Sequence, residues 1–255
     1  MRLTERDFDL LRYLAEQGVA SARQLAQKFF PSVASFRTRI GFLNRADLVE
    51  SVPITALKEL SHSSYFETAT DVLGASRQNV CKYRVYRLGQ RFGKKWPHTG
   101  RLSDIKMWRH QLMVNELRAV FEKKFPRALF LNDPQAIEEW RLFQRSGPAD
   151  SSDLAIPDLT VRVDDLNIAI EIERTQKAER EYFGRFFKFR DSDYTHVIYY
   201  CATERIFKMV SKLARCYEWM AVARFGTIHE VYRLWPGWIK LDEFLSERHA
   251  HDKRL

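Results

Sequence analysis

Three carboxylates are the residues of this sequence best suited to chemistry, and they belong to a segment with the pattern of a β-hairpin. Asp158 precedes an alternating run, LTVRV, and Glu171 and Glu173 end a second one, IAIEIE. Side chains on a strand repeat every two residues, so the two glutamates share a face, and paired strands about 4.8 Å apart would bring Asp158 close to them. Carboxylate oxygens suit a hard divalent cation, so these acids are candidate ligands for Mg²⁺ or Mn²⁺. The alternative is a polar hairpin edge whose acids face solvent.

A lysine and a tyrosine follow the hairpin, where a helix is predicted to begin. Lys177 is four residues after Glu173, within reach of the same site as a compact positive charge that would stabilise a scissile phosphate. Tyr182 comes five residues later and is a candidate nucleophile for phosphodiester cleavage, with water as the other candidate. Two plainer roles stay open: Lys177 would pair with Glu173 or Glu181, and Tyr182 would line the core or a groove.

The order of these residues resembles the core of the PD-(D/E)XK nucleases. Asp158 follows a proline and precedes Glu171 by thirteen residues. The resemblance implies that Asp158 and Glu171 bind the metal, that Glu173 is a further ligand or holds a metal-bound water, and that a lysine assists near the attacking water. In those enzymes the lysine normally stands two residues after the glutamate. This chain has Glu173 there, so Lys177 would act from the next helix.

The elements that would position these residues form an α/β domain predicted over residues 101–255. A helix predicted over residues 105–125 opens it, and the same resemblance makes Glu116 on that helix a further candidate metal ligand, with a surface glutamate as the alternative. Besides the hairpin, strands are predicted at 128–131, 196–200 and 220–224, and helices at 175–189 and 205–214. The order αβββαβ predicts a mixed central sheet, as in the restriction-endonuclease-like fold that the resemblance implies.

The first part of the chain, predicted as a domain over residues 1–100, has the pattern of a winged helix-turn-helix. Caps at Thr4, Ser21 and Ser32 begin three short helices, and Gly18 ends the first. Strands predicted at 48–50 and 82–88 would form the wing, with residues 53–79 inserted between them. The third helix would enter the major groove of DNA with four residues near the bases: Ser35, Arg37, Thr38 and Arg39. The alternative is a small helical domain for protein contact.

The charge of the chain is concentrated in this first part. The net charge is +9, and residues 1–106 hold 18 Lys/Arg against 10 Asp/Glu, whereas residues 107–255 hold 24 against 23. Residues 82–101 contain seven basic residues and no acid. A concentrated basic stripe with aromatic neighbours is typical of nucleic-acid binding, and a solvated basic face is the alternative. The candidate DNA contacts in this stripe are Arg84, Arg87, Arg91, Lys94 and Lys95.

The remaining composition excludes several classes of protein. No run approaches the roughly 20 apolar residues that a membrane span needs, and the charged N-terminus is not a signal peptide. The three cysteines are far apart, which argues against a disulfide framework or a zinc cluster and favours a reducing compartment. We therefore expect a cytoplasmic protein with no membrane span.

The motifs taken together resemble the replication-relaxation family, which includes the MobC-type relaxases of mobilisable plasmids. A winged-helix pattern is followed by RHQLMVNELR, then IPDL, then EIERTQK, and the resemblance extends from about Leu3 to Tyr200. It implies a relaxase that binds double-stranded plasmid DNA at an origin of transfer and nicks one strand in a metal-dependent reaction. An accessory mobilisation protein and a coupling protein are the further partners that it implies.

Two other functions fit parts of the same pattern. A non-catalytic replication initiator or transcriptional regulator would use the second domain as a dimerisation or accessory module, and the displaced lysine favours this alternative. A defence nuclease would cut both strands of DNA at many sites, whereas a relaxase would make one nick.

Overall fold

A computed structural model describes residues 2–53, 84–89, 105–132, 155–225, 230–232 and 237–246. The chain divides into two compact units, Met1–Glu116 and Leu117–Leu255, and the division falls inside a helix, α4 (Ile105–Lys124). The sequence placed the boundary near residue 100. The predicted insertion at 53–79 lies outside the described residues, apart from its first position.

The N-terminal unit begins with three helices and a small antiparallel sheet. Its core consists of apolar side chains such as Leu10, Leu14, Leu25 and Leu43, all fully buried. The sheet has the order β1-β3-β2, so β2 and β3 are antiparallel neighbours, as the predicted wing requires. The elements are α1 (Glu5–Gln17), β1 (Ala20–Ser21), α2 (Ala22–Phe29), α3 (Val33–Arg45), β2 (Val49–Pro53) and β3 (Arg84–Leu88).

The predicted caps begin and end these helices. The side chain of Ser21 accepts from the backbone N–H of Gln24, and Ser32 accepts from that of Ser35, as N-caps do. Gly18 ends α1 with a φ of 71°, a conformation that glycine adopts without steric cost. Gly89 follows β3, and a Cβ at this position would lie 2.2 Å from the carbonyl oxygen of Asp47, so a side chain there would force the backbone to shift.

The C-terminal unit is built on a seven-stranded mixed sheet with the order β10-β9-β8-β7-β6-β5-β4. The central strands β6, β7 and β8 are parallel, and the outer pairs are antiparallel. The strands are β4 (Leu129–Asn132), β5 (Leu159–Val163), β6 (Leu166–Glu173), β7 (His196–Cys201), β8 (Met220–Arg224), β9 (Glu230–Tyr232) and β10 (Trp238–Lys240). The helices that follow α4 are α5 (Glu179–Arg190), α6 (Glu204–Ala214) and α7 (Leu241–Ser246).

Helices α5 and α6 contribute to one apolar core with the central strands. Tyr182, Phe186 and Phe189 of α5 pack in the same cluster as Val197 and Tyr199 of β7. Because side chains alternate along β6, Glu171 and Glu173 share the face of Ala169, which belongs to that cluster, while the isoleucines between them point to the other face. The site therefore lies where the start of β5 and the end of β6 meet α5 and the segment that precedes it.

The expected mixed α/β class and mixed sheet are confirmed, whereas the winged-helix and nuclease-fold assignments stay predictions. The structure also corrects some bounds. Helix α5 begins at Glu179 rather than near residue 175, because the Glu181 side chain accepts from the Ala178 backbone N–H and caps the helix there. Strands β1, β9 and β10 and helix α7 were not predicted. None of the described helices has the length and apolarity to cross a lipid bilayer.

Candidate functional site

The three hairpin acids occupy adjoining positions on one face of the sheet. Leu159 pairs with Ile170 in the antiparallel register of β5 and β6, so Asp158, one residue earlier, stands beside Glu171. Glu171 and Glu173 lie on the same face of β6, and both side chains are almost completely buried. The predicted convergence of Asp158, Glu171 and Glu173 therefore agrees with the strand register.

Each glutamate has a cation from the following segment as its partner. The Arg185 guanidinium, reaching in from α5, donates a hydrogen bond to Glu171. The Lys177 ammonium lies 2.8 Å from Oε2 of Glu173. Burial alone would lower the pKa of Arg185, but the negative charges of Glu171 and of the neighbouring acids outweigh burial and raise it. The guanidinium is therefore charged. Arg185 and Lys177 balance the negative charges of the two buried glutamates.

Tyr182 belongs to the Glu173 side of this cluster. Its hydroxyl accepts from the backbone N–H of Lys177 at 3.4 Å and lies near the Glu173 carboxylate. Burial raises the pKa of Tyr182 well above its usual value, and the Glu173 charge raises it further. This environment favours the neutral phenol, which is a poor nucleophile. The predicted nucleophilic role of Tyr182 stays a prediction, and the hydroxyl is hydrogen-bonded to the Lys177 backbone.

Asp158 is held by the backbone of the neighbouring strand. Its Oδ2 atom accepts a hydrogen bond from the Ile172 N–H at 2.6 Å. Asp158, Glu171 and Glu173 offer only carboxylate oxygens, which are suitable ligands for a hard cation such as Mg²⁺ or Mn²⁺. Within the described ranges, however, no group of three or more His, Cys, Asp or Glu side chains is arranged to hold a metal ion.

Sequence reasoning missed two members of the cluster, Arg185 and Tyr199. Tyr199 of β7 is paired in register with Glu171 and is fully buried. Burial raises its pKa well above the usual value, and the nearby Glu171 raises it further. Among the described residues, no group hydrogen-bonds the Tyr199 hydroxyl. Tyr199 belongs to the predicted strand HVIYY, but its place beside Glu171 follows from the parallel register of β6 and β7, which the sequence does not show.

Glu116, the fourth candidate ligand, lies in the N-terminal unit. Its Oε1 atom accepts a hydrogen bond from the Gln24 amide of α2 at 2.9 Å. Burial raises the pKa of Glu116, although Arg23 and the Gln24 hydrogen bond act in the opposite direction. The carboxyl group thus has a packing partner of its own, and its role as a metal ligand stays a prediction.

The four candidate DNA contacts of α3 differ in how free they are. Arg37 and Thr38 are exposed. The Thr38 hydroxyl donates to the carbonyl of Ala34 at 3.2 Å, and the Ser35 hydroxyl donates to the carbonyl of Ser32 at 2.8 Å. Arg37 and Thr38 are therefore presented to solvent on the helix, while Ser35 also belongs to its N-terminal cap.

Arg39 is engaged inside the N-terminal unit. Its guanidinium binds both carboxylate oxygens of Asp7, with Nε 2.8 Å from Oδ1, and also donates to the carbonyl of Arg2 at 3.1 Å. Asp7 is fully buried and accepts from the backbone N–H and the hydroxyl of Thr4, the predicted cap of α1. The pair ties α3 to the start of α1, so the group that the sequence assigned to DNA has a structural partner.

We expect the Asp7 pair to make the N-terminal unit sensitive to acid. Burial alone would raise the pKa of Asp7, but the hydrogen bonds from Arg39 and Thr4 outweigh it and lower the pKa to about 2 from 3.8. The stabilisation is complete above pH 3.8 and is lost as the pH falls toward 2. Through that window the stability difference between wild type and Asp7→Asn should shrink by about 2 kcal/mol.

The measurement is urea unfolding of both proteins at several pH values between about 5 and 2. Asp9→Asn on the exposed side of α1 is the matched control and should change the free energy of unfolding by less than about 0.5 kcal/mol at neutral pH. A wild-type advantage over Asp7→Asn that is the same at every pH would contradict this account.

The two described wing candidates are both paired. Arg84 donates to the Ser51 hydroxyl at 2.8 Å and is exposed. Arg87 forms an ion pair with Glu50 at 2.7 Å, and its guanidinium lies 5.5 Å from the centroid of the Trp108 ring. Arg84 is the freer of the two for phosphate contact. The other three candidates, Arg91, Lys94 and Lys95, lie outside the described residues.

Comparison with known proteins identifies a family for this chain. A family model described as replication-relaxation matches residues 11–185, from within α1, through the acidic hairpin, to within α5. No curated protein and no solved structure matches the chain.

Proposed function

The chain belongs to the replication-relaxation family, and on that basis we propose that it binds plasmid DNA at an origin of transfer and nicks one strand in a divalent-metal-dependent reaction. Membership of the family indicates a role in plasmid replication or mobilisation. The observation that supports nicking is the cluster at the hairpin end, where the buried Glu171 and Glu173 stand beside Asp158 and two cations reach them. We further propose that the C-terminal unit is a nuclease domain of the PD-(D/E)XK type.

In the proposed reaction Asp158, Glu171 and Glu173 would hold Mg²⁺ or Mn²⁺. The metal would neutralise charge on the scissile phosphate and lower the pKa of a bound water. Lys177 and Arg185 each donate to a carboxylate of the site and are placed to exchange that partner for a phosphate oxygen. Tyr182 stays protonated beside Glu173, so water is the attacking group in this proposal.

DNA recognition is assigned to the N-terminal unit acting as a winged helix. Helix α3 would lie in the major groove, with the exposed Arg37 and Thr38 near the base edges. Arg84 would contact the phosphate backbone from β3, which pairs with both other strands of the small sheet. An accessory mobilisation protein and a coupling protein are the partners proposed for the transfer complex.

Replacement of Arg37 by alanine is expected to weaken binding to origin DNA about tenfold and to relax the preference for that sequence. The reason is that Arg37 is exposed, so its loss removes a DNA contact and leaves the packing of α3 intact. Fluorescence anisotropy with a labelled duplex, together with thermal unfolding, measures both properties. Arg39→Met is the contrasting variant, because it should lower the melting temperature. Equal DNA affinity of Arg37→Ala and wild type would contradict the assignment of α3.

A non-catalytic DNA-binding function is the second candidate, and a specific observation favours it. Arg185 and Lys177 already neutralise the two buried glutamates, so the described structure accounts for their charges without a metal ion. A replication initiator or transcriptional regulator would use this cluster as a buried ion-pair network that stabilises an accessory domain.

The two functions differ in one plasmid experiment. Purified protein is mixed with supercoiled plasmid carrying the origin of transfer, with chelator, Mg²⁺ or Mn²⁺. Open circles that form only with metal support the nicking function. Tight binding with all plasmid left supercoiled supports the non-catalytic DNA-binding function and contradicts the nicking proposal.

A further inference from the structure

The Tyr199 hydroxyl is buried without a hydrogen-bond partner in the part of the chain that the structure describes. Two other buried tyrosines of the same core have one. The Tyr194 hydroxyl lies 3.2 Å from that of Thr160, and the Tyr182 hydroxyl accepts from the Lys177 backbone N–H. An unsatisfied buried donor is destabilising, and a phenylalanine would supply the same ring without it. The hydroxyl of Tyr199 therefore points to a partner that it gains in another state of the site.

The ring of Tyr199 is held in place by two aromatic neighbours from α5. It makes edge-on contacts with Phe186 and Phe189, with ring centroids 5.4 Å and 6.4 Å away. Protein interiors are close-packed, so a ring enclosed in this way does not swing out to find an acceptor elsewhere. Any acceptor for the hydroxyl has to be a side chain that already lies next to it.

Glu171 is the acidic side chain that the sheet places beside Tyr199. The two residues are paired in the parallel register of β6 and β7, so their side chains leave the same face from backbones about 4.8 Å apart. Burial raises the pKa of Tyr199 well above its usual value, and the charge of Glu171 raises it further, although Arg185 acts in the opposite direction. The phenol therefore keeps its proton and is a donor next to a carboxylate.

Arg185 is the present partner of Glu171, and it is the partner that can leave. Its side chain is 39% exposed, whereas that of Glu171 is 2% exposed. The guanidinium can turn to another anion in solvent, but the carboxylate stays buried in the sheet. A buried carboxylate that loses its cation is strongly destabilised unless another donor reaches it. Such a donor has to be in place before Arg185 can contact a phosphate.

We propose that Tyr199 is a positioning residue of the cleavage site, whose hydroxyl donates to Glu171 when Arg185 leaves that carboxylate. The inference rests on the proposed nicking function, because a DNA phosphate is the anion that draws Arg185 away. One donor replaces another, so no proton is transferred: the phenol keeps its proton and Glu171 keeps its charge. The new hydrogen bond fixes the orientation of the carboxylate, as outer partners of metal ligands do.

Substitution of Arg185 imitates its departure and tests the exchange of donors without metal or DNA. In chelator, Tyr199→Phe alone should leave the urea midpoint of the C-terminal unit unchanged or raise it, because the lost hydroxyl has no partner there. In the Arg185→Met background the same change should lower the ratio of folded to unfolded protein about tenfold, because Glu171 then loses its replacement donor. An equal effect of Tyr199→Phe in both backgrounds would overturn the proposal.

Tyr200→Phe is the matched control for both backgrounds. Tyr200 is the next residue of β7 and is also fully buried. Successive side chains of a strand point to opposite faces, so its hydroxyl lies on the face away from the acids. Its loss should have the same effect on the urea midpoint with and without Arg185.

The affinity for Mn²⁺, measured from the electron paramagnetic resonance signal of the free ion, is the second readout. A cation at the acids repels the Arg185 guanidinium, so Tyr199→Phe should weaken Mn²⁺ binding about tenfold even in the otherwise wild-type chain. Tyr200→Phe should change it less than about twofold, and Glu171→Gln identifies any Mn²⁺ bound elsewhere. Equal Mn²⁺ affinity of Tyr199→Phe and wild type would overturn the positioning role.

The measurement in chelator separates this proposal from that of nicking. An effect of Tyr199→Phe that appears only in the Arg185→Met background, without any plasmid nicking, would support the exchange of donors and contradict only the proposed cleavage. Nicking and Mn²⁺ binding by wild type, with Tyr199→Phe neutral in both readouts, would overturn the role of Tyr199 alone.

Discussion

Replacing Glu171 by glutamine should reduce the rate of plasmid nicking about 10³-fold while leaving duplex binding unchanged. Glu171 is the central acid of the cluster, since it stands beside Asp158 and shares a face with Glu173. Glutamine has the same shape but no charge, so it keeps the packing of the hairpin and loses the interaction with a cation. The initial rate of open-circle formation and the affinity for origin duplex are the two measurements.

The matched control for this variant is Glu179→Gln. Glu179 is exposed in the first turn of α5. It is close in sequence to the cluster but belongs to neither of the ion pairs of Glu171 and Glu173. It should nick at the wild-type rate. A Glu171→Gln protein that nicks as fast as wild type would show that the hairpin acids are not the cleavage site.

Replacing Arg185 by methionine should lower the free energy of unfolding by about 3 kcal/mol in chelator. The variant keeps the aliphatic volume but leaves the buried carboxylate of Glu171 without its guanidinium partner. We take the low end of the range for a broken buried pair because the Arg185 side chain is 39% exposed. Urea unfolding monitored on the C-terminal unit gives the measurement.

The same variant reports on the metal without any assay of cleavage. If the acids bind Mg²⁺ or Mn²⁺, the ion replaces the lost charge, and a concentration about 100 times the dissociation constant should restore about 2.7 kcal/mol. The double variant Arg185→Met with Glu171→Gln removes both charges, so it should be close to wild type in stability and indifferent to metal. An Arg185→Met protein whose stability does not respond to metal would count against the carboxylates as ligands.

The sequence predicted the placement of the acids better than it predicted their partners. Alternation along β6 puts Glu171 and Glu173 on one face in any strand of this sequence, and a hairpin pairs Asp158 with Glu171. Lys177 was predicted either to contact the phosphate or to pair with Glu173, and the structure shows the pair. This local geometry needs only neighbours a few residues apart.

Long-range partners were not predictable in the same way. Arg185 is fourteen residues from Glu171, and only the packing of α5 on the sheet brings them together. Tyr199 reaches the acids through the parallel register of β6 and β7, which no local pattern encodes. Arg39 was assigned to DNA from its place on a recognition helix, but Asp7, thirty-two residues earlier, binds it. In each case tertiary contact decides between two roles that the residue type allows equally.

Mapping the cleavage position on both strands of the plasmid tests the central claim most directly. Wild-type protein, supercoiled plasmid with the origin of transfer and Mg²⁺ or Mn²⁺ are incubated, and run-off primer extension is performed on each strand. The account predicts one break, at one position, in one strand, and none in chelator or with Glu171→Gln. Breaks in both strands or at many positions would contradict site-specific nicking, as would no break at all under conditions in which the protein binds the origin.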